Sequence, residues 1–225
     1  MGLAGSSAIV IATLRAMGTW FAQPIRETLL GSVALQAERS LGISAGLQDR
    51  VVQSLGGLVH MDFGVDAMRV VDGYDVGAYS RLDSSRLPPL FLAWLPHGAE
   101  SSAVVHNDLR QRWSSGDEPT RRGMAELREL AASAAELLRA GPVDAGRLGE
   151  LLTAGFLVRR SLVELRAEHL ALVETACSVA GVHATYTGSG GAIIGTWSGS
   201  AADLEELRRA LGEIDADVVA VDSAV

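Results

Sequence analysis

Four groups of residues have types and spacing suited to chemistry on a phosphate. The first is the opening Met1-Gly2-Leu3-Ala4-Gly5-Ser6-Ser7-Ala8, which runs directly into the apolar Ile9–Leu14. Glycines let a ligand approach the backbone closely, serines can bond the free N–H groups of a helix start, and that start carries partial positive charge. An anion cradle on a helix N-terminus and an ordinary capped helix both fit this stretch. The second and third groups are single carboxylates, Glu38 and Asp49, eleven residues apart. Glu38 falls in the last turn of an expected helix, where an acid faces the negative helix end and asks for a compensating cation. Asp49 falls near the start of a short helix entered from a glycine-containing loop, Gly42–Gly46. A solvated helix acid and a helix cap are the plainer readings of these two. The fourth group is Thr187-Gly188-Ser189-Gly190-Gly191-Ala192, between two expected strands; a tight strand-to-strand turn and a phosphate-side loop both suit it. Phosphoryl transfer from ATP uses this set of parts. It needs backbone donors around the phosphates, magnesium on a hydroxyl and a carboxylate, and an acidic group at the attacking hydroxyl.

Composition narrows the chemistry further. The opening loop is not of the Walker type, which requires Lys after its last Gly; Ser6 follows Gly5, and all 19 basic residues of the 225-residue chain are Arg. No mechanism that needs a catalytic Lys can be completed by these residues. A net charge of −8 with dispersed arginines argues against a nucleic-acid partner and for local handling of anions. The single cysteine, Cys177, excludes an internal disulfide and a cysteine metal cluster; in its apolar helical run it is expected as a small core residue. His60 and His106 have no second ligand at metal spacing, and Trp113 is expected as a core anchor. There is no basic n-region, Arg15 interrupts the first apolar run, and no stretch approaches membrane-span length, so a cytoplasmic protein without a membrane partner is expected. Met-Gly-x-x-x-Ser fits a myristoylation pattern, but Gly2 and Ser6 are better explained by a phosphate loop.

The elements that must hold these residues follow from periodicity and breakers. Helices are expected over 6–21 and 25–41, with Pro24 at a tolerated start, and a short helix with Asp49 near its start. Strands are expected at 58–63 and 68–71, followed by a polar, turn-rich surface loop over 72–86. Pro88-Pro89 marks the division between a domain of 1–86 and one of 87–225. The second half reads as a strand at 90–95, a loop at 97–102, helices at 103–113, 118–140, 144–163 and 167–180, strands at 182–186 and 193–197, a helix at 201–211 and a strand at 218–221. That order suits an α+β fold, an antiparallel sheet with helices on one face.

With these residues in place, the sequence resembles the group that includes galactokinase, homoserine kinase, mevalonate kinase and phosphomevalonate kinase, the GHMP kinases. Their second motif, Gly-Leu-Gly-Ser-Ser-Ala, is matched by Gly2–Ala8; their late glycine-rich motif is matched by Thr187–Ala192; and the Glu38-to-Asp49 spacing matches that of mevalonate kinases. Within the group the resemblance is strongest to plant-type glucuronokinases. It is carried by Gly42–Arg50, Gly57–Phe63, Leu87–Leu90, Val105–Trp113 with Gly116-Asp117, and Arg159-Arg160. The family's first motif precedes the Gly-Ser-Ser loop, whereas this chain starts at the second. The resemblance therefore implies a two-lobe GHMP kinase fold with a truncated N-terminal lobe and a ferredoxin-like C-terminal lobe, the missing part being expected upstream. It further implies that Gly2, Leu3, Ala4, Gly5, Ser6 and Ser7, with Gly188, Ser189 and Gly190, hold the ATP phosphates. Ser7 and Glu38 would bind magnesium, and Asp49 would orient or deprotonate the acceptor hydroxyl. Arg50, Arg110, Arg112, Arg159 and Arg160 are the candidates for a sugar carboxylate, which a guanidinium fork binds well. The function implied is ATP- and Mg2+-dependent phosphorylation of the anomeric hydroxyl of glucuronate or a related sugar acid. A kinase for another small alcohol, or a non-catalytic binding protein of the same fold, are the alternatives.

Overall fold

A computed structural model describes residues 4–43, 45–96, 102–188 and 191–221, with residues 102–107 described by their backbone alone. The chain divides into two compact units, Ala4–Leu82 and Asp83–Val225.

The first unit begins with three helices, α1 (Gly5–Trp20), α2 (Glu27–Ser40) and α3 (Gln48–Leu55). Ile11 of α1 and Leu30 and Ala34 of α2 are buried against one another, with Val10, Leu14 and Ile25 packed alongside. Gly31 of α2 faces the backbone of α3: a Cβ there would lie 3.1 Å from both Arg50 C and Val51 N, so the two helices meet at a distance only glycine allows without adjustment. Strand β1 (Leu58–Asp62) follows and pairs antiparallel with β4 (Ala78–Leu82), while β2 (Arg69–Val71) and β3 (Tyr74–Val76) form a separate hairpin. The expected surface loop over 72–86 is thus corrected to two strands and a 3-10 turn, Ser84–Arg86. Strands this short and this polar carry little alternation. Their signal is Asp72-Gly73, both at positive φ (52° and 83°), the two-residue turn whose twist suits a hairpin.

The second unit is built on a four-stranded antiparallel sheet in the order β6-β7-β5-β8, formed by His183–Tyr186, Ala192–Thr196, Leu90–Trp94 and Asp217–Val221. Four helices lie between β5 and β6: α4 (Ser102–Ser115), α5 (Glu118–Ala140), α6 (Ala145–Leu162) and α7 (Ala167–Cys177); α8 (Ala201–Gly212) connects β7 to β8. A strand that enters the sheet centre, leaves through helices, returns as a hairpin and closes through one more helix is the ferredoxin-like connection. Phe91, Leu172, Ile193, Leu207 and Leu211 are fully buried at its core. Side-chain caps start three of the helices. Asp117 accepts from Thr120 N at 3.0 Å, Asp144 from Arg147 N at 3.0 Å and Ser200 from Asp203 N at 3.1 Å. Two single-residue expectations are corrected here. Cys177 is exposed at the end of α7 rather than packed in the core, and Trp113 is 47% exposed, with the Arg121 guanidinium 6.0 Å from its ring centre.

Gly195 sits where β7 passes beneath Phe91, and a Cβ there would fall 2.2 Å from the His183 carbonyl oxygen and 2.4 Å from the Phe91 ring. The nearest obstacle is backbone of the paired strand and cannot rotate away. Gly195→Ala is expected to destabilise the protein by about 3 kcal/mol, the upper end of core overpacking, as read by chemical denaturation.

Candidate active site

In the first unit, the candidate residues lie at the start of α1, the end of α2 and the start of α3. Helix α1 begins at Ala4, which adopts the left-handed conformation (φ 54°, ψ 34°), and its first turn has neither a side-chain cap nor an acid. Neither serine therefore acts as a cap. Ser6 is exposed; Ser7 is buried, and its hydroxyl donates at 2.9 Å to the Ala4 carbonyl. Space is open beside Gly5, where a Cβ would meet nothing within 4 Å. A sixteen-residue helix whose first turn has no side-chain cap among the described residues presents its positive end to an anion. Gly2 and Leu3 lie outside the described residues.

Glu38 is 3% exposed in the last turn of α2, and its Oε2 accepts from Arg50 Nε of α3 in a buried ion pair. Arg50, itself 5% exposed, also donates from Nη1 to the Gly46 carbonyl at 2.9 Å. The cation that an acid at a helix C-terminus requires is therefore Arg50, which is spent inside the protein rather than held out to a ligand. Asp49, its neighbour, points the other way: it is exposed in the first turn of α3 and forms no ion pair among the described residues. It does not cap α3 either, since the cap position is Leu47 and has no side-chain bond. Alternation around one short turn thus buries a cation against Glu38 and presents a carboxylate to solvent.

Ser7 and Glu38 offer hard oxygen donors suited to magnesium, which takes few protein ligands and completes its shell with phosphates and water. Among the described residues no group of three or more His, Cys, Asp or Glu could hold a metal on its own. In the structure the Ser7 hydroxyl donates to the Ala4 carbonyl and the Glu38 carboxylate is paired with Arg50, so a magnesium ion would share these oxygens with their present partners.

In the second unit, the loop between β6 and β7 is drawn tight. Thr187 donates from its N–H at 2.9 Å and from its hydroxyl at 3.2 Å to the Ala192 carbonyl, and Gly188 and Gly191 take positive φ. Ser189 and Gly190 lie outside the described residues. Arg159 of α6 braces this loop. It donates to the Tyr186 carbonyl, donates at 2.7 Å to the Gly188 carbonyl, and lies 3.6 Å from the Tyr186 ring centre. Burial pushes the guanidinium below its ordinary value and the Tyr186 phenol above its own, the adjacent cation offsetting part of the second shift. Arg159→Lys keeps the charge but loses the fork and the stack, and is expected to cost about 1–2 kcal/mol in a denaturant titration.

The remaining arginines are engaged as well. Arg112 donates to Asp108 at 2.9 Å and to the Leu162 carbonyl. Arg160 reaches Glu174 at 3.5 Å, and Arg110 is also engaged on α4. Sequence reasoning missed Gln53, whose amide Nε2 donates at 3.0 Å to the Ala4 carbonyl. Its one sequence signal is a position four residues after Asp49, on the same helix face.

Residues 1–57 match the model of the GHMP kinases N terminal domain. The chain is 42% identical over 199 residues to probable glucuronokinase 2 of Arabidopsis thaliana, covering 86% of this chain and 52% of that protein. It is 40% identical over 198 residues to glucuronokinase 1 of the same plant, covering 86% and 53%. The chain thus spans about half the length of the curated relatives it matches. In structure it is similar to Lactococcus lactis galactokinase (TM-score 0.72, 18% identity, 97% of this chain and 65% of that one). It is also similar to L. major mevalonate kinase (TM-score 0.66, 20% identity, 93% and 61%). Sequence and fold together place the chain among the GHMP kinases. Within that group it is glucuronokinase-like, at about 40% identity over most of its length. No described helix is long and apolar enough to cross a membrane.

Proposed function

We propose that the protein is an ATP- and Mg2+-dependent sugar kinase that phosphorylates the anomeric hydroxyl of glucuronate or a closely related sugar acid. The observation that carries this reading is the uncapped Gly5-Ser6-Ser7 start of α1, in the same compact unit as a buried Glu38 and an exposed Asp49. In this reading the first-turn N–H groups of α1, with Gly2, Leu3 and Ala4 ahead of them, receive the nucleotide phosphates. Ser7 and Glu38 would hold magnesium, which would supply positive charge to offset that of the phosphate oxygens. Arg50 orients the Glu38 carboxylate through their buried ion pair. Asp49 accepts the proton of the acceptor hydroxyl as that oxygen bonds the terminal phosphorus; the bond from that phosphorus to the bridging oxygen breaks, and ADP leaves. Gly188, Ser189 and Gly190 are proposed as further phosphate-side residues, and Arg159 holds the Gly188 carbonyl. Arg160 and Arg110 are the exposed candidates for the sugar carboxylate, whereas Arg50 is buried and Arg112 and Arg159 are half-buried. The protein acts in the cytoplasm in this reading.

A coupled ADP-release assay across sugar acids and neutral sugars tests it. ADP release with glucuronate well above that with galactose is expected. Sugar binding without ADP release from any acceptor would instead make the protein a non-catalytic binder, and turnover of galactose but not glucuronate would remove the carboxylate argument.

A further inference from the structure

Ala4 is the residue on which the start of α1 turns, and it is conformationally costly. A non-glycine residue in the left-handed region persists only where its surroundings hold it there. The hold is visible at its carbonyl oxygen, which receives three donors: Ala8 N at 3.3 Å, Ser7 Oγ at 2.9 Å and Gln53 Nε2 at 3.0 Å. The first two come from α1 itself and would travel with it. Gln53 belongs to α3, the helix that presents Asp49, and lies one turn beyond that carboxylate on the same face. Only an N–H can face a carbonyl, so the orientation of the amide is settled: Nε2 toward Ala4, Oε1 away. Gln53 Oε1 is then buried with no partner among the described residues. A residue kept for stability alone would not carry an unpaired buried acceptor; an apolar side chain of the same length would pack there without that penalty. A second tie runs from Arg15 Nη2, further along α1, to the carbonyl of Ser54 at 2.7 Å, so two adjacent residues near the end of α3 hold α1 at two separate places.

We propose that Gln53 is a positioning residue that holds Ala4 in its left-handed turn and so sets the start of α1 at a fixed separation from Asp49. Its role is to aim the first-turn N–H groups of α1 at the nucleotide phosphates, and in this it rests on the phosphate-loop reading above. It touches no reacting atom.

Gln53→Met separates this role from a structural one, since it keeps the length of the side chain, removes the tie and removes the unpaired oxygen. The expected result is a melting temperature unchanged or raised, a KM for ATP raised about tenfold, a KM for the sugar unchanged, and faster exchange of the Ala8 amide by NMR. Gln53→Glu, which sets a carboxylate oxygen against the Ala4 carbonyl, is expected to raise the KM for ATP at least as far. A lower melting temperature with kcat and both KM values shifting in parallel would overturn the proposal. So would an unchanged Ala8 exchange rate, whatever the activity. If Ala8 exchange accelerates while the unaltered chain neither binds nor turns over ATP, the tie stands and the kinase reading is what fails.

Discussion

Asp49→Asn is expected to lower kcat by about 10²–10⁴-fold, the usual contribution of a positioned proton acceptor, with the KM for ATP nearly unchanged. Asn keeps the shape of the side chain and a carbonyl oxygen that can still accept from the acceptor hydroxyl, so binding and orientation survive. It cannot take the proton. The exposure of Asp49 makes the experiment clean: the side chain is at the surface, caps nothing and forms no ion pair among the described residues. Its one structural contribution is a favourable charge near the start of α3, worth about 0.3–1 kcal/mol. A steady-state comparison with a parallel melting curve therefore reads chemistry alone. Full activity in the Asn variant would remove Asp49 from the mechanism.

The Glu38–Arg50 pair is expected to produce the largest stability effect. Both partners are almost wholly buried, and the pair joins α2 to α3 beside the Gly31 contact. Removing one partner strands the other charge away from water. Arg50→Met is accordingly expected to cost about 3–5 kcal/mol. Removing both with well-packed substitutes of similar volume restores much of that loss, because the desolvation penalty disappears with the charges. A double-mutant cycle of Glu38→Leu and Arg50→Met in urea should show this as strong non-additivity. The functional readout runs differently. The doubly substituted chain can be stable yet lacks the carboxylate proposed to bind magnesium, so its Mg2+-dependent ATP binding is expected to be lost. Recovery of stability together with Mg2+-dependent ATP binding would show that Glu38 serves the fold and not the metal.

The long, strongly periodic elements were legible from the sequence. Helix α5, with Asp117 and Pro119 at its start and Gly141 at its end, has the expected bounds, 118–140. The order of elements around β5, β6, β7 and β8 was enough to expect an antiparallel sheet with helices on one face; its ferredoxin-like form was implied by the family resemblance, and the strand order β6-β7-β5-β8 has that form. Strand β2 was expected at 68–71, but its partner β3 and the following β4 were not legible. Strands of three to five residues with Asp, Tyr, Ser and Arg among them take their stability from pairing, which leaves almost no local pattern.

At the site, the misplaced charge of Glu38 at a helix C-terminus correctly signalled a missing cation, but nothing local says that Arg50, twelve residues on, supplies it. Arg50 stands directly after the exposed Asp49, and only the helical turn separates one buried charge from one presented charge. Arg159 reads in sequence as a surface cation paired with Arg160. Its role as a brace depends on two carbonyls and a ring from a strand that follows it by more than twenty residues. Gln53 is invisible for the same reason: its partner is a backbone oxygen forty-nine positions earlier.

One measurement bears most directly on the kinase reading: 31P NMR of the chain incubated with MgATP and glucuronate. The expected result is loss of the ATP γ-phosphate signal and growth of a sugar phosphate resonance coupled to the anomeric proton. An unchanged ATP spectrum, or phosphate appearing only as the inorganic ion, would contradict it.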